Sequence, residues 1–184
     1  AAARFAKGEF DKELALELER THSYPTDIWK KACAEGFIGL HFPEQYGGSG
    51  YGVFENALVL EAFCRQDSGI GAAMLTAPFG CEIILHHGTE AQKDHYLNMV
   101  TSVAGLSAGA FTEPMHGSDI TRMSTTAVRD GEDWVINGVK TFITNAGICA
   151  FYILLVQTDI EAGHKGQSMF IVDADLPGIE VASV

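Results

Sequence analysis

The sequence has 184 residues, 47% hydrophobic and 20% charged, enough apolar material for one ordinary domain or two small ones. Its 24 acidic and 12 basic side chains leave a net charge of −12, which excludes nucleic acid and anionic membranes as natural partners but not an anionic ligand held by backbone N–H groups. Cys33, Cys64, Cys81 and Cys149 form no C-x-x-C pair, which argues against a metal site or disulfide framework and for a reducing compartment.

In chain order, Phe10, Leu14, Leu16 and Leu18 alternate with Glu and Lys as in a surface helix. Pro25 opens a second helix with Ile28, Trp29, Ala32 and Cys33 on one face and Gly36 at its end. The eleven residues from Phe42 to Gly52 hold four Gly and one Pro and read as a loop. Helical spacing returns from Val53 to about Arg65 through Ala57, Leu58, Leu60 and Ala62. Ile70 to Leu85 is apolar almost all round, the pattern of a buried helix, and Thr89 is placed to cap a further helix running to about Val100.

After Ser102 the pattern shortens. Val128, Trp134, Val135, Ile136, Phe142 and Ile143 fall in runs separated by turn residues, and Asn137-Gly138 is a two-residue hairpin signal. Phe151–Val156 and Met169–Val172 read as strands, and Gly178–Val181 as another. The expected fold is α+β: an all-helical domain over residues 1–102, then an antiparallel, β-barrel-like domain over 103–184. The strands only just suffice for a sheet and no closing segment follows, so the second domain reads as incomplete at Val184. No apolar run reaches the roughly 18 residues of a membrane span, and no signal peptide is evident.

Two segments carry candidate chemistry. The stretch Ala110-Phe111-Thr112-Glu113-Pro114-Met115-His116-Gly117-Ser118-Asp119 leaves a strand and enters a turn. Its hydroxyls and backbone N–H groups suit a phosphate or a heteroaromatic edge, although a strand followed by an Asx-type turn explains the same residues. In Asn137–Gly147, Phe142 and Thr144 would share one face of a strand, so a planar ligand on the ring would meet the hydroxyl. A core Phe beside an incidental Thr is the plainer alternative.

Taken together, these segments resemble the acyl-CoA dehydrogenase family, whose motifs run A-x-T-E-P-x-x-G-S-D and N-G-x-K-x-[WF]-I-T-N. Gly39–Gly48 is similar to the family's G-L-x-x-P-E-x-Y-G-G loop, and Gly88–Lys93 to its G-[TS]-E-x-Q-K helix start. The resemblance implies FAD as cofactor, lined by Gly109, Ala110, Phe111, Thr112, Gly117, Ser118, Phe142, Ile143 and Thr144. Thr112 would meet the pyrimidine side, Phe142 would cover one ring face, and Thr144 would bond near N5. Ser118 would be shared with the CoA end of the substrate. The loop from Asp159 to Gln167, where the family often contacts CoA, offers His164 and Lys165 as substrate-binding candidates beside a solvated-loop reading.

The implied activity is oxidation of an acyl-CoA to its α,β-enoyl-CoA, with electrons passed to an electron-transferring flavoprotein. Acyl-CoA oxidase, flavin monooxygenase and a non-catalytic binding or assembly subunit are the rival readings. The family's base is a Glu of a C-terminal helical domain that this sequence is expected to lack, so the catalytic residue is not identified here and Glu113 reads as structural. The same missing domain would supply contacts for a homotetramer or dimer. A soluble protein of the cytoplasm or mitochondrial matrix is expected. Phe111, His116 and Arg122 depart from the family pattern, and His116 and Arg122 either add positive charge for CoA or FAD or point to solvent. Gly71 stands where the glutaryl-CoA branch carries an Arg, which disfavours a dicarboxylic thioester. By the same resemblance the residues around Met74 to Leu85 would form the acyl pocket wall, mostly apolar with small Ala72, Ala73, Ala77 and Gly80.

Overall fold

Phe10 ends the first helix instead of extending it. In the computed structural model, which describes residues 1–182, α1 (Ala2–Glu9) and α2 (Lys12–Thr21) are separate because the Asp11 side chain caps α2, accepting the Leu14 N–H at 3.0 Å. Phe10 thereby turns inward, 4% exposed, and packs edge-on against Phe63 with ring centroids 5.3 Å apart; Phe5 and Phe37 complete the cluster. Helix α3 (Thr26–Ala34) starts after Pro25 and buries Ile28, Trp29 and Ala32. The Gly-rich segment is a loop with one 3-10 turn at Glu44–Tyr46, followed by α4 (Val53–Gln66).

The continuous buried helix expected from Ile70 to Leu85 is instead two, α5 (Ser68–Leu75) and α6 (Cys81–His87). Pro78 lacks an N–H to continue α5, and Gly80 takes φ 93°, a left-handed step that restarts the chain in α6. Helices α4 and α5 approach so closely at Gly71 that a Cβ there would lie 2.8 Å from Cys64 N and 2.9 Å from Phe63 C. Thr89 caps as expected, its hydroxyl accepting Gln92 N–H at 3.2 Å while Gln92 Oε1 accepts Thr89 N–H at 2.9 Å. From there α7 (Glu90–Gln92) passes through a π-helical turn (Lys93–Leu97) into α8 (Asn98–Thr101). Backbone contacts divide the chain between Leu106 and Ser107 into two units.

The second unit holds β1 (Ser107–Ala110), β2 (Thr126–Asp130), β3 (Asp133–Asn137), β4 (Phe151–Gln157) and β5 (Gln167–Asp173). The apolar run of β4 is its spine, paired antiparallel with β5 along its whole length. On its other edge β4 pairs parallel with β1 from Ser107↔Phe151 to Ala110↔Leu154, and then with β2 at Thr126↔Gln157. The sheet is therefore mixed, where an antiparallel one was expected. The chain between β1 and β4 goes out through the β2–β3 hairpin and re-enters in the direction it left, and an apolar run carries no signal of strand direction. Trp134 of β3 lies edge-on to Phe170 of β5, with ring centroids 5.5 Å apart.

Two turn expectations change. The hairpin turns at Gly131-Glu132, where Gly131 supplies φ 63°, and Asn137-Gly138 marks the exit from β3. Gly178–Val181 forms no strand, because Gly178 at φ 90° follows Pro177 and turns the chain away. Ser183 and Val184 lie outside the described residues. Within the described residues, no helix is long and apolar enough to cross a membrane, and all four cysteines are free thiols.

Candidate functional site

Chain direction reverses at Ala110, where β1 ends and a tight turn begins. Glu113 and His116 exchange backbone hydrogen bonds (Glu113 N–H to His116 O, 2.9 Å; His116 N–H to Glu113 O, 3.1 Å), which closes the turn and pushes Pro114 and Met115 outward. Residues 138–147 form an irregular loop that lies against this turn. Thr141 N–H donates to Thr112 O at 3.0 Å, and Lys140 Nζ donates to Phe111 O at 3.1 Å. Further along, Asn145 Nδ2 donates to Ser107 O of β1 at 2.8 Å. These bonds bring the two sequence segments together within the second unit.

Behind them sits a buried ion pair. Lys140 Nζ lies 2.9 Å from Glu113 Oε1, with side chains 9% and 2% exposed. Glu113 also accepts Ser124 N–H at 2.7 Å and Thr125 N–H at 2.9 Å. Burial opposes the charge on Glu113, but hydrogen bonds from Thr125, Ser124 and Lys140 outweigh it and hold the carboxyl at about 2. Burial pulls the Lys140 ammonium below its ordinary range, and Glu113 offsets this in part. A carboxylate so acidic and so fully engaged is no proton acceptor at neutral pH.

The expected site residues fall into three groups. Gly109 and Ala110 are buried in β1, paired with Ile153 and Leu154. Phe111 and Thr112 are half-buried at its end, and Gly117 and Ser118 are exposed on the turn. Phe142, Ile143 and Thr144 are on the tethered loop and not on a strand, which corrects the reading that Phe142 and Thr144 share a strand face. Phe142 takes φ 55° and Asn145 φ 68°, left-handed values that no strand accommodates. The Asn145 tether and the bond from Ala146 N–H to Ile143 O at 3.1 Å hold the loop in that shape. Phe142 is 92% exposed, an unusual place for an aromatic ring with a left-handed backbone. The hydroxyls of Thr112, Ser118 and Thr144 have no hydrogen-bond partner among the described residues.

Lys165 is exposed in a 3-10 turn (Gly163–Gly166) between β4 and β5. That loop is tied to the segment after Ser118, since Gln167 Nε2 donates to Ile120 O at 2.8 Å. Arg122 pairs with Asp119 at 3.4 Å, both exposed. Lys140 and Asn145, which tie the two segments together, stand in those segments without a role assigned from sequence. A lone Lys in an apolar stretch, matched by a lone acid at Glu113, was the available signal.

The helical unit has a separate cavity of about 460 Å³, walled by Phe37, Leu60, Met74, Leu75 and Phe79 with His41 and Glu82. Of the stretch around Met74 to Leu85 expected to wall an acyl pocket, Met74, Leu75, Thr76, Pro78, Phe79 and Glu82 line it, whereas the small Ala72, Ala73, Ala77 and Gly80 do not. His41 Nε2 lies 3.3 Å from Glu82 Oε1.

Against known proteins, the model of the acyl-CoA dehydrogenase N-terminal domain matches residues 1–104, and that of the acyl-CoA dehydrogenase middle domain matches residues 108–184. The caffeyl-CoA reductase-Etf complex subunit CarC of Acetobacterium woodii is 37% identical over 98% of this chain and 48% of its own. A probable acyl-CoA dehydrogenase of Mycobacterium abscessus superposes with a TM-score of 0.92 at 34% identity, over 99% of this chain and 48% of that one. An acyl-CoA dehydrogenase of Bacillus anthracis complexed with FAD gives 0.85 at 31% identity, over 99% and 32%. The chain thus spans about half the length of the curated relatives it matches.

Proposed function

The chain belongs to the acyl-CoA dehydrogenase family, and we propose that its second unit holds FAD for redox chemistry at the Cα–Cβ bond of a CoA thioester. The observation that carries this reading is Phe142: an almost fully exposed ring, on a left-handed residue, in a loop that three bonds tether to β1 and to the Thr112 segment. Strain and exposed apolar area of this kind persist where a ligand completes the surface. FAD, when bound, supplies the two-electron acceptor that takes hydride from Cβ.

The chain's own residues bind and orient. Thr112 donates a hydrogen bond toward the pyrimidine edge and Thr144 toward N5, where donors favour an electron-rich flavin. Phe142 covers one ring face and Ile143 supports the loop. Gly109, Ala110 and Phe111 form the floor at the end of β1, and the exposed N–H groups of Gly117 and Ser118 suit a phosphate. Lys165 is assigned to the CoA end of the substrate with Ser118. Glu113, buried and ionised, does not take the proton at Cα, and that role is assigned to none of the described residues. An electron-transferring flavoprotein is the assigned electron partner, in line with the caffeyl-CoA reductase relative's complex.

The direction assigned is oxidation to the enoyl-CoA. The reductase name of that same relative favours the reverse as the second reading, and turnover with enoyl-CoA against acyl-CoA separates them. The founding test is flavin binding. Thr112→Ala and Thr144→Ala are each expected to weaken FAD retention about tenfold, one hydrogen bond's worth, and to shift its visible spectrum. Unchanged retention and spectra in both variants would refute the assignment.

A further inference from the structure

Helices, ladders and the proposed flavin contacts leave one buried charged cluster without a use. Glu113 and Lys140 are both almost fully buried, and between them they tie together three stretches of the second unit, residues 111–113, 123–125 and the 138–147 loop. Lys140 Nζ reaches Phe111 O (3.1 Å), Glu113 Oε1 (2.9 Å) and Met123 Sδ (3.2 Å), and Glu113 binds the N–H groups of Ser124 and Thr125. A surface loop has no need of such a pair. An isolated buried ion pair contributes little net stability, because desolvation offsets most of the Coulomb attraction. What the pair does fix is geometry. Glu113 follows Thr112 directly, and Lys140 precedes Phe142 by two residues.

We propose that the Glu113–Lys140 pair is a positioning device. It clamps the 138–147 loop onto the end of β1, so that Thr112 from one segment and Phe142 and Thr144 from the other meet the same planar ligand. This rests on the flavin reading above for the ligand, but the clamp itself is a claim about this chain's own loop. The bond from Thr141 N–H to Thr112 O lies between the clamp and the proposed contacts, and it reports whether the clamp is closed. Gly138 lets the loop pass beneath: a Cβ there would lie 2.6 Å from Thr125 Cα, directly behind the carboxylate.

The test uses Lys140→Met, Glu113→Gln and the double variant of the full chain, read in two ways. In flavin-free protein, amide exchange at Thr141 is expected to speed at least tenfold in each single variant, beyond any change at the β4–β5 ladder. In flavin-loaded protein, the visible spectrum and reduction potential of the bound FAD are expected to shift. The double variant removes both buried charges, so it regains thermal stability relative to the singles. It still lacks the donor to Phe111 O, so Thr141 exchange and the flavin spectrum stay altered. Return of both to wild type in the double variant, or no change in either single, overturns the proposal. If Thr112→Ala and Thr144→Ala leave FAD untouched, the flavin reading fails instead, and Thr141 exchange alone then decides whether the clamp exists.

Discussion

Acid should reveal the charge that the second unit holds on Glu113. Its folded carboxyl is held at about 2 against an ordinary 4.5, a difference equivalent to about 3 kcal/mol at 1.36 kcal/mol per unit. Because the folded value is depressed, this stability is fully present above pH 4.5 and is lost as pH falls toward 2; by pH 3 about 2 kcal/mol of it is gone. Glu82, Glu90 and Asp119 are also held below their ordinary values, but they are the same in wild type and in Glu113→Gln and cancel between them. Lys140 is depressed from the alkaline side and does not enter the acid window. At neutral pH, Glu113→Gln is destabilised, since Lys140 loses its counter-charge. Between pH 6 and pH 3 the gap between the two proteins should narrow by about 2 kcal/mol, or roughly 8–16 °C in Tm for a unit of this size. Calorimetry or urea unfolding at the two pH values measures it directly. A gap that stays constant or widens would mean that Glu113 does not carry an ionised, stabilising charge, and the account of the buried pair would fall.

Two further outcomes follow from backbone geometry. Gly71→Ala forces a Cβ into the Cys64 and Phe63 backbone of α4, and overpacking of this kind should cost about 1–3 kcal/mol, seen as a lower Tm of the helical unit. Phe142→Ala should leave flavin-free stability within about 0.5 kcal/mol, because the ring is already in solvent, while FAD retention falls. A large loss of flavin-free stability would show that the ring packs on protein after all.

Much of the helical unit was legible because its signals are local. The Thr89 cap, the helix after Pro25 and the span of α4 each depend on residues within one or two turns. The breaks were less legible. Asp11 caps a helix inside what reads as one amphipathic run, and an apolar stretch hides the Pro78–Gly80 interruption. In the second unit, β4 and β5 announce themselves by composition, but strand direction does not, so the parallel β1–β4 pairing was missed. The motif segments were legible as segments and not as shapes. Phe142 and Thr144 look like strand neighbours only until Asn145 and Lys140 are seen to bind β1 and the turn, contacts made 27 to 38 residues away in sequence.

Charge gives the last step. The second unit holds four cations, Arg122, Arg129, Lys140 and Lys165, against many more acids. Arg122 is paired with Asp119, Arg129 lies 5.4 Å over the Trp134 ring, and Lys140 is buried on Glu113. Lys165 is exposed and, among the described residues, makes neither a side-chain ion pair nor a ring contact. An anionic ligand on this unit therefore meets little free positive charge from side chains. On the proposed reading its phosphates would be held by backbone N–H groups and hydroxyls such as those of the exposed Gly117-Ser118 turn, with Lys165 on the loop that Gln167 ties to Ile120. On the proposed reading, an acidic chain and an anionic cofactor are compatible because recognition would rest on fixed dipoles whose aim the Glu113–Lys140 pair sets, and not on net charge.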